Sequence, residues 1–116
     1  MGQKIIIGLT EKVTIFSDDK SKKKEVIARV DTGAASNSID AGLAAEMNLG
    51  PIIRTTVVKS ANGQSLRPVV DVEISICNED FRTTFTIADR SRMRYKILVG
   101  RKSLTKREFL IDPNKG

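Results

Sequence analysis

Glu25-Val26-Ile27-Ala28-Arg29-Val30-Asp31-Thr32-Gly33-Ala34 is the stretch on which the reading of this chain turns. Val26, Ala28 and Val30 recur at every second position, the period of a strand with one buried face. The strand empties into Asp31-Thr32-Gly33, a tight turn that presents a carboxylate at its end. Asp and Gly are ordinary turn residues, so the tripeptide by itself identifies only a turn. Whether the carboxylate has chemistry to perform depends on what else the chain carries.

A second segment, Lys96-Ile97-Leu98-Val99-Gly100-Arg101-Lys102-Ser103-Leu104, lies downstream at a separation suited to a small domain. It resembles the hydrophobic-hydrophobic-Gly-Arg segment of the retropepsins, the homodimeric aspartic proteases. Two motifs in the right order and spacing are far more specific than either alone. The resemblance is closer still to a prokaryotic retropepsin-like family labelled ATP-dependent zinc protease. It is carried by Ile7-Gly8-Leu9, Arg29 to Ala34, Met93 to Arg101 and Phe109-Leu110-Ile111-Asp112-Pro113, which together span nearly the whole chain. The implied fold is mainly β, a closed retropepsin-like acid-protease barrel with one or two short helices. Residues 1–116 would form a single domain, one half of a dimeric aspartic protease.

The implied activity is that of an aspartic endopeptidase, a hydrolase acting on a peptide or protein substrate. That chemistry needs two carboxylates sharing a proton, one polarising the scissile carbonyl while the other deprotonates the attacking water. A chain with a single Asp-Thr-Gly must take its second aspartate from another copy, so a homodimer with Asp31 paired to its twin is expected. Two carboxylates that close cannot both ionise, which splits the titration of the pair into a low and a raised step. In retropepsins the residue at Thr32 hydrogen-bonds across the dimer. Gly33 lets a peptide backbone approach closely, and Ala34 continues the pattern.

Gly100 and Arg101 would be structural, in a strand leading into a short helix packed beneath the Asp31 loop. One departure stands out. Retroviral enzymes place an aspartate after Asp-Thr-Gly-Ala to pair with the arginine of the Gly-Arg motif, and here that position is Ala35. Arg101 must find another carboxylate, for which Asp40 and Asp112 are candidates, or bind a backbone carbonyl.

The pass along the chain reads mostly as strands. Ile5 to Leu9 and Val13 to Phe16 are short apolar runs split by Thr10-Glu11-Lys12, and Ser17 to Lys24 is a charged turn. Ala41 to Leu49 is the single clear helix, with Asp40 as N-cap and Gly50-Pro51 ending it. Arg54 to Ser60 and Gln64 to Ile76 flank Asn62-Gly63, a strong hairpin signal. Asn78-Glu79-Asp80 turns the chain into the alternating run Phe81, Thr83, Phe85, Ile87. By analogy with the glycine-containing flap of retropepsins, Ser60 to Ser65 would form a flap over the substrate, with Ala61, Asn62 and Gly63 at its tip. Arg29, Val30, Ile39, Val70 and Val99 line either cleft or core, with core the better default.

Composition narrows the remaining choices. At 116 residues and 40% hydrophobic the chain can bury a modest core, and no apolar run is long enough to cross a bilayer. The N-terminus lacks a secretory apolar region, because Ile5-Ile6-Ile7 meets Gly8 and then charge. Cys77 is the only cysteine, so no intrachain disulfide can form, a reducing cytoplasm is the simplest compartment, and a small buried hydrophobe is expected at the end of a strand. With no histidine and one cysteine the chain offers no zinc cage, and Ala35 to Asp40 stands where members of the zinc-protease-labelled family commonly have a histidine. No metal and no cofactor is therefore expected. No Gly-x-x-x-x-Gly-Lys-Ser/Thr loop is present, so any nucleotide requirement would belong to a partner.

The net charge of +6 and a pI near 9.7 suit nucleic-acid phosphates or acidic polypeptides alike. One tyrosine, four phenylalanines and no tryptophan make a poor base-stacking platform. Two alternatives to the endopeptidase stand beside it: a peptide-binding domain of the same fold without turnover, and a basic nucleic-acid-binding β domain.

Overall fold

A computed structural model describes residues 4–61 and 63–115. In chain order its elements are β1 (Ile6–Ile7), β2 (Thr10–Phe16), β3 (Lys23–Val30), β4 (Asn37–Asp40), α1 (Ala41–Glu46), β5 (Ile52–Ser60), β6 (Gly63–Ile76), β7 (Glu79–Ala88), β8 (Ile97–Val99), α2 (Arg101–Lys106) and β9 (Leu110–Ile111). The strands β2-β3-β8-β4-β7-β6 follow one another in space, and β6 returns to β2 through Thr14↔Ser75, Ile15↔Ile74 and Phe16↔Glu73. The sheet thus closes on itself, which removes the exposed strand edges of an open sheet. The expected mainly β closed barrel with two short helices is the fold observed.

The barrel closes because its strands carry one apolar face each. Val13, Ile15, Ala28, Val30, Val70, Val72, Ile74, Ile76, Phe85, Ile97 and Val99 are buried together in one cluster. Each such side chain contributes roughly 1.5–3 kcal/mol on burial, the main term offsetting chain entropy. Of the residues divided between core and cleft, Val30, Ile39, Val70 and Val99 are in the core; Arg29 is exposed.

β6 has two halves. From Gly63 to Val70 it pairs with β5, and from Val69 onward it pairs with β7. Among the described residues β5 pairs with β6 alone, so the β5–β6 hairpin extends past the closed part of the sheet. Its residues Gln64, Ser65 and Leu66 are exposed, whereas Val69, Val70 and Val72 are buried. The burial switch follows the sequence, where polar residues give way to Val-Val-Asp-Val-Glu-Ile-Ser-Ile.

Four boundaries differ from the sequence reading. Thr10-Glu11-Lys12 belongs to β2, paired with Arg29, Ala28 and Ile27, and the break falls instead at Gly8, whose N–H donates to Glu11 Oε1 at 3.1 Å. The hairpin arms begin earlier than expected, at Ile52 and Gly63, with an irregularity between Ile52 and Arg54. Helix α1 is shorter than Ala41 to Leu49. Asp40 caps it, Oδ2 accepting from the N–H groups of Gly42 (3.1 Å) and Leu43 (3.3 Å), but Asn48 at φ 52° ends the helical path before Leu49. The fourth concerns Cys77. It is exposed and not a buried strand end, because Cys77 (φ 51°) and Asn78 (φ 64°) are the two loop residues of the β6–β7 hairpin. A two-residue hairpin loop needs left-handed backbone at both positions. Glu79 and Asp80, read as turn, are accordingly strand residues opposite Ile76 and Ser75. No helix among the described residues is long and apolar enough to cross a membrane.

Candidate active site

Asp31 sits where the parallel β3–β8 pairing runs out. Val30 and Val99 are the last registered pair, and the Asp31 N–H adds one more bond, to Val99 O at 2.9 Å. Beyond it the chain turns: Asp31 Oδ1 accepts from Gly33 N at 2.8 Å, and Ala34 N donates to Asp31 O at 3.3 Å. This is an Asx-type turn, in which the carboxylate fixes its own loop. Asp31 is half-buried and Thr32 and Gly33 are exposed, so the loop faces outward; among the described residues Asp31 has no ion pair.

The Gly-Arg segment lies directly against this loop. Arg101 N donates to Ala34 O (2.8 Å) and Lys102 N to Ala35 O (3.2 Å). Gly100 is tight because of space, not backbone angle: a Cβ there would stand 2.5 Å from Ser36 O and 2.8 Å from Ala34 O. Arg101 takes the carbonyl alternative, Nη1 donating to Thr32 O at 2.9 Å. Neither candidate carboxylate is its partner. Asp40 is committed to the α1 cap and to Arg90 N (2.8 Å), and Asp112 Oδ1 accepts from Asn114 N (2.9 Å).

Sequence reasoning missed Asn37. This fully buried side chain accepts from Gly100 N at 2.9 Å and donates to Thr83 Oγ1 (3.2 Å) and Thr84 O (3.0 Å). It thereby ties the Gly100 turn to β7. β4 itself was unread because Asn37-Ser38-Ile39-Asp40 has a single apolar residue and no visible alternation.

A pocket of about 390 Å³ opens beside the loop. Its floor is a cross-strand row, since Ser38 is in register with both Thr86 on β7 and Leu98 on β8. Gly33 to Ser36 form one wall, and Val57, Val58, Lys59 and Arg67 of the β5–β6 hairpin form the other. The hairpin thus overhangs the Asp31 loop. Ala61 and Gly63 (φ 112°) are exposed at its end; Asn62, the third residue expected at the tip, lies outside the described residues. A smaller hollow of about 230 Å³, lined by Leu9, Thr10, Arg29, Val30 and Tyr95, includes Val30 beside Asp31.

The charge in the larger pocket is one-sided. Lys59, Arg67, Arg90 and Arg101 line it, and among the described residues no Asp or Glu does. Arg90 is fixed by Nε donation to Tyr95 O at 3.0 Å. Burial pushes its pKa down, and the positive charges of Arg67 and Arg29 add to that, against the pull of Asp40 and Asp31.

The donor set does not fit zinc. The chain has no histidine, Cys77 lies in an exposed turn, and among the described residues no group of three or more His, Cys, Asp or Glu comes together.

Comparisons with known proteins agree with the geometry. The RimB-like family model, described as retropepsin-like aspartic endopeptidase RimB, matches residues 44–116, more than half of the chain. That stretch holds the Gly-Arg segment and begins after the Asp31 loop. No curated protein matches the chain. Among solved structures, EIAV protease complexed with the inhibitor HBY-793 is similar with a TM-score of 0.69 at 17% identity, over 94% of this chain and 96% of that one. A Legionella pneumophila protein of unknown function (DUF785) gives 0.65 at 23% identity, covering 97% and 96%. Simian foamy virus (mac) protease gives 0.58 at 14%, covering 83% and 91%. At these identities the likeness is one of fold.

Proposed function

The chain belongs to the RimB-like family of retropepsin-like aspartic endopeptidases, and from that premise we propose that it hydrolyses peptide bonds as a homodimer, with Asp31 of each copy forming the catalytic pair. The observation that carries the reading is the placement of Asp31. It stands at the open end of a barrel strand, on a loop fixed from both sides, with no ion pair among the described residues to neutralise it. A carboxylate held this way is preorganised, and a second copy of the same loop would supply the carboxylate with which it shares a proton.

In the dimer, one Asp31 holds a proton and polarises the scissile carbonyl, and the other takes a proton from the attacking water. Thr32 braces the two loops against each other, and Gly33 leaves room for the substrate backbone. The β5–β6 hairpin, with Ala61 and Gly63 at its end, closes over the substrate and excludes bulk water. Gly100 and Arg101 hold the loop from beneath. Neither a metal nor a nucleotide takes part in these steps.

The same reading extends to the substrate. The pocket beside the loop carries four cationic side chains and no acid, which favours polypeptides with acidic side chains near the cleaved bond. Nucleic acid is the weaker match, because these cations line a hollow beside a carboxylate instead of a stripe tracking a phosphate backbone.

The test compares wild type with Asp31→Asn on unstructured acidic and neutral polypeptides in mild acid, with and without a statine-type inhibitor, alongside sedimentation at the working concentration. Cleavage by a dimer that the substitution and the inhibitor abolish supports the proposal. A monomer, or turnover equal in both proteins, overturns it, and tight peptide binding without turnover assigns the fold a binding role instead.

A further inference from the structure

Two hydrogen bonds at the Asp31 loop meet on one peptide group. The Asp31 N–H donates to Val99 O at 2.9 Å, and the Gly100 N–H donates to Asn37 Oδ1 at 2.9 Å. Val99 C=O and Gly100 N–H belong to the same peptide, a planar, stiff unit whose two polar groups point to opposite sides. That plane reaches from Asp31, where the chain leaves β3, to Asn37, where it enters β4. Turning the plane breaks both bonds together.

Asn37 is what holds the plane in place. Its side chain is fully buried, and its Nδ2 donates to Thr83 Oγ1 (3.2 Å) and Thr84 O (3.0 Å) on β7. With its donors committed to β7, the amide directs its oxygen at the Gly100 N–H. A leucine would fill the same space and strip these bonds from the Gly100 N–H and the Thr84 carbonyl, both polar groups that cost stability when buried and unpaired. A carboxylate would keep the acceptor and lose the donors. An amide supplies both without charge.

We infer that Asn37 is a positioning residue for Asp31: by fixing the Val99–Gly100 peptide plane against β7, its amide sets where the Asp31 backbone stands, and with it the carboxylate. The residue itself is sealed from solvent and touches no substrate. For turnover this rests on the endopeptidase reading above; for the geometry of the loop it does not.

The experiment follows amide protection and turnover in wild type, Asn37→Leu, Asn37→Asp and Thr83→Val. In Asn37→Leu, protection at the Asp31 and Gly100 amides should fall together about tenfold relative to Val13 and Ile15 of β2. The value of kcat should fall about tenfold with KM unchanged. Thr83→Val keeps the shape of its side chain and removes one bond of the amide, so it should show the same paired fall, smaller in size. Asn37→Asp carries the signature that a merely structural role would not give. Its carboxyl donates and accepts while protonated, and only accepts once ionised. Protection at both amides, and kcat relative to wild type, should therefore be near normal in mild acid and drop as pH rises. Loss of protection at Gly100 without Asp31, an equal loss throughout the barrel, kcat unchanged in Asn37→Leu, or Asn37→Asp indifferent to pH overturns the proposal. Should the Asn37 variants fail to fold, Thr83→Val decides, by the presence or absence of the paired fall. If protection responds as expected while wild type cleaves nothing, Asn37 keeps its role in the loop and the endopeptidase reading falls alone.

Discussion

Arg101 reaches back to the loop that carries Asp31, its Nη1 donating to the backbone carbonyl of Thr32 at 2.9 Å. The charge on the arginine meets a peptide dipole and not a carboxylate, which is how the chain manages with Ala35 next to Asp-Thr-Gly-Ala. The backbone around it supplies the rest of the clamp: Arg101 N to Ala34 O, Lys102 N to Ala35 O, and Asn37 holding Gly100 N. The loop is held by this distributed set of bonds and not by an ion pair of Arg101.

Removing the guanidinium should therefore loosen the loop more than the fold. The bond is exposed on the arginine side, so Arg101→Ala should cost only about 1 kcal/mol in urea unfolding. The loss in kcat should be larger, on the order of tenfold, because a small displacement of a reacting carboxylate is felt strongly. Arg101→Lys should not restore it, since a single ammonium cannot copy the reach of a planar fork. Equal losses in stability and in kcat would contradict this account.

Gly100 is a sharper case. A methyl group there meets two backbone carbonyl oxygens, of Ser36 at 2.5 Å and Ala34 at 2.8 Å, and neither can rotate away. Gly100→Ala should destabilise by roughly 1–3 kcal/mol or more, as for other overpacked sites, and should separate the two segments of the clamp. Thermal unfolding of the purified variant measures the first effect. Faster amide exchange at Asp31 and Arg101, whose N–H groups bond Val99 O and Ala34 O, measures the second.

The parts legible in the sequence are those in which one residue type has one use. Val70, Val72, Ile74 and Ile76 alternate so regularly that β6 could be placed from its pattern, and Asp40 before Ala41 announced a helix start. The turn at Asp31 was visible for the same reason. Asn37 was not, because a polar residue in a four-residue strand looks like loop, and its value comes from Thr83, Thr84 and Gly100, all distant in the chain. Cys77 was misplaced because it is one more apolar residue directly after Ile76, while the pairing of Ile76 with Glu79 makes it a turn residue. The partner of Arg101 was out of reach because the choice was made by geometry: Asp40 and Asp112 were already bonded locally.

Charge in the pocket gives a prediction independent of the clamp. Arg67 lines the hollow from the hairpin side, and its Nε donates to the exposed Ser65 Oγ at 3.3 Å. Arg67→Gln should thus leave stability within about 0.5 kcal/mol while lowering kcat/KM for acidic peptides about tenfold relative to neutral ones. Raising the salt should reduce that ratio in wild type, since a pocket open to solvent is screened. A ratio indifferent both to salt and to Arg67 would show that the cations do not face the substrate.

Acid should weaken the fold through carboxylates remote from the cleft. Asp19 Oδ1 accepts from Ser21 N (2.9 Å), Ser21 Oγ (2.7 Å) and Ser17 Oγ (3.0 Å), and these bonds hold its pKa down at about 2. Asp89 is lowered in the same way by the hydroxyl and N–H of Ser91. For Glu11, burial works to raise the pKa, but the bonds from Lys115 and Gly8 outweigh it and the net shift is downward. A pKa lower in the folded than in the unfolded chain means the fold favours the ionised form. The stabilisation is whole above an unfolded carboxylate value of roughly 4 and is lost as pH falls from there toward about 2. Thermal midpoints should be level in this respect above that range and decline below it, and Asp19→Ala should flatten part of the decline while lowering the plateau. A midpoint that stays constant down to pH values near 2 would contradict it. Asp19 sits on a turn, Asp89 directly after β7 and Glu11 near the start of β2, so the acid limit on folding is set by carboxylates other than Asp31.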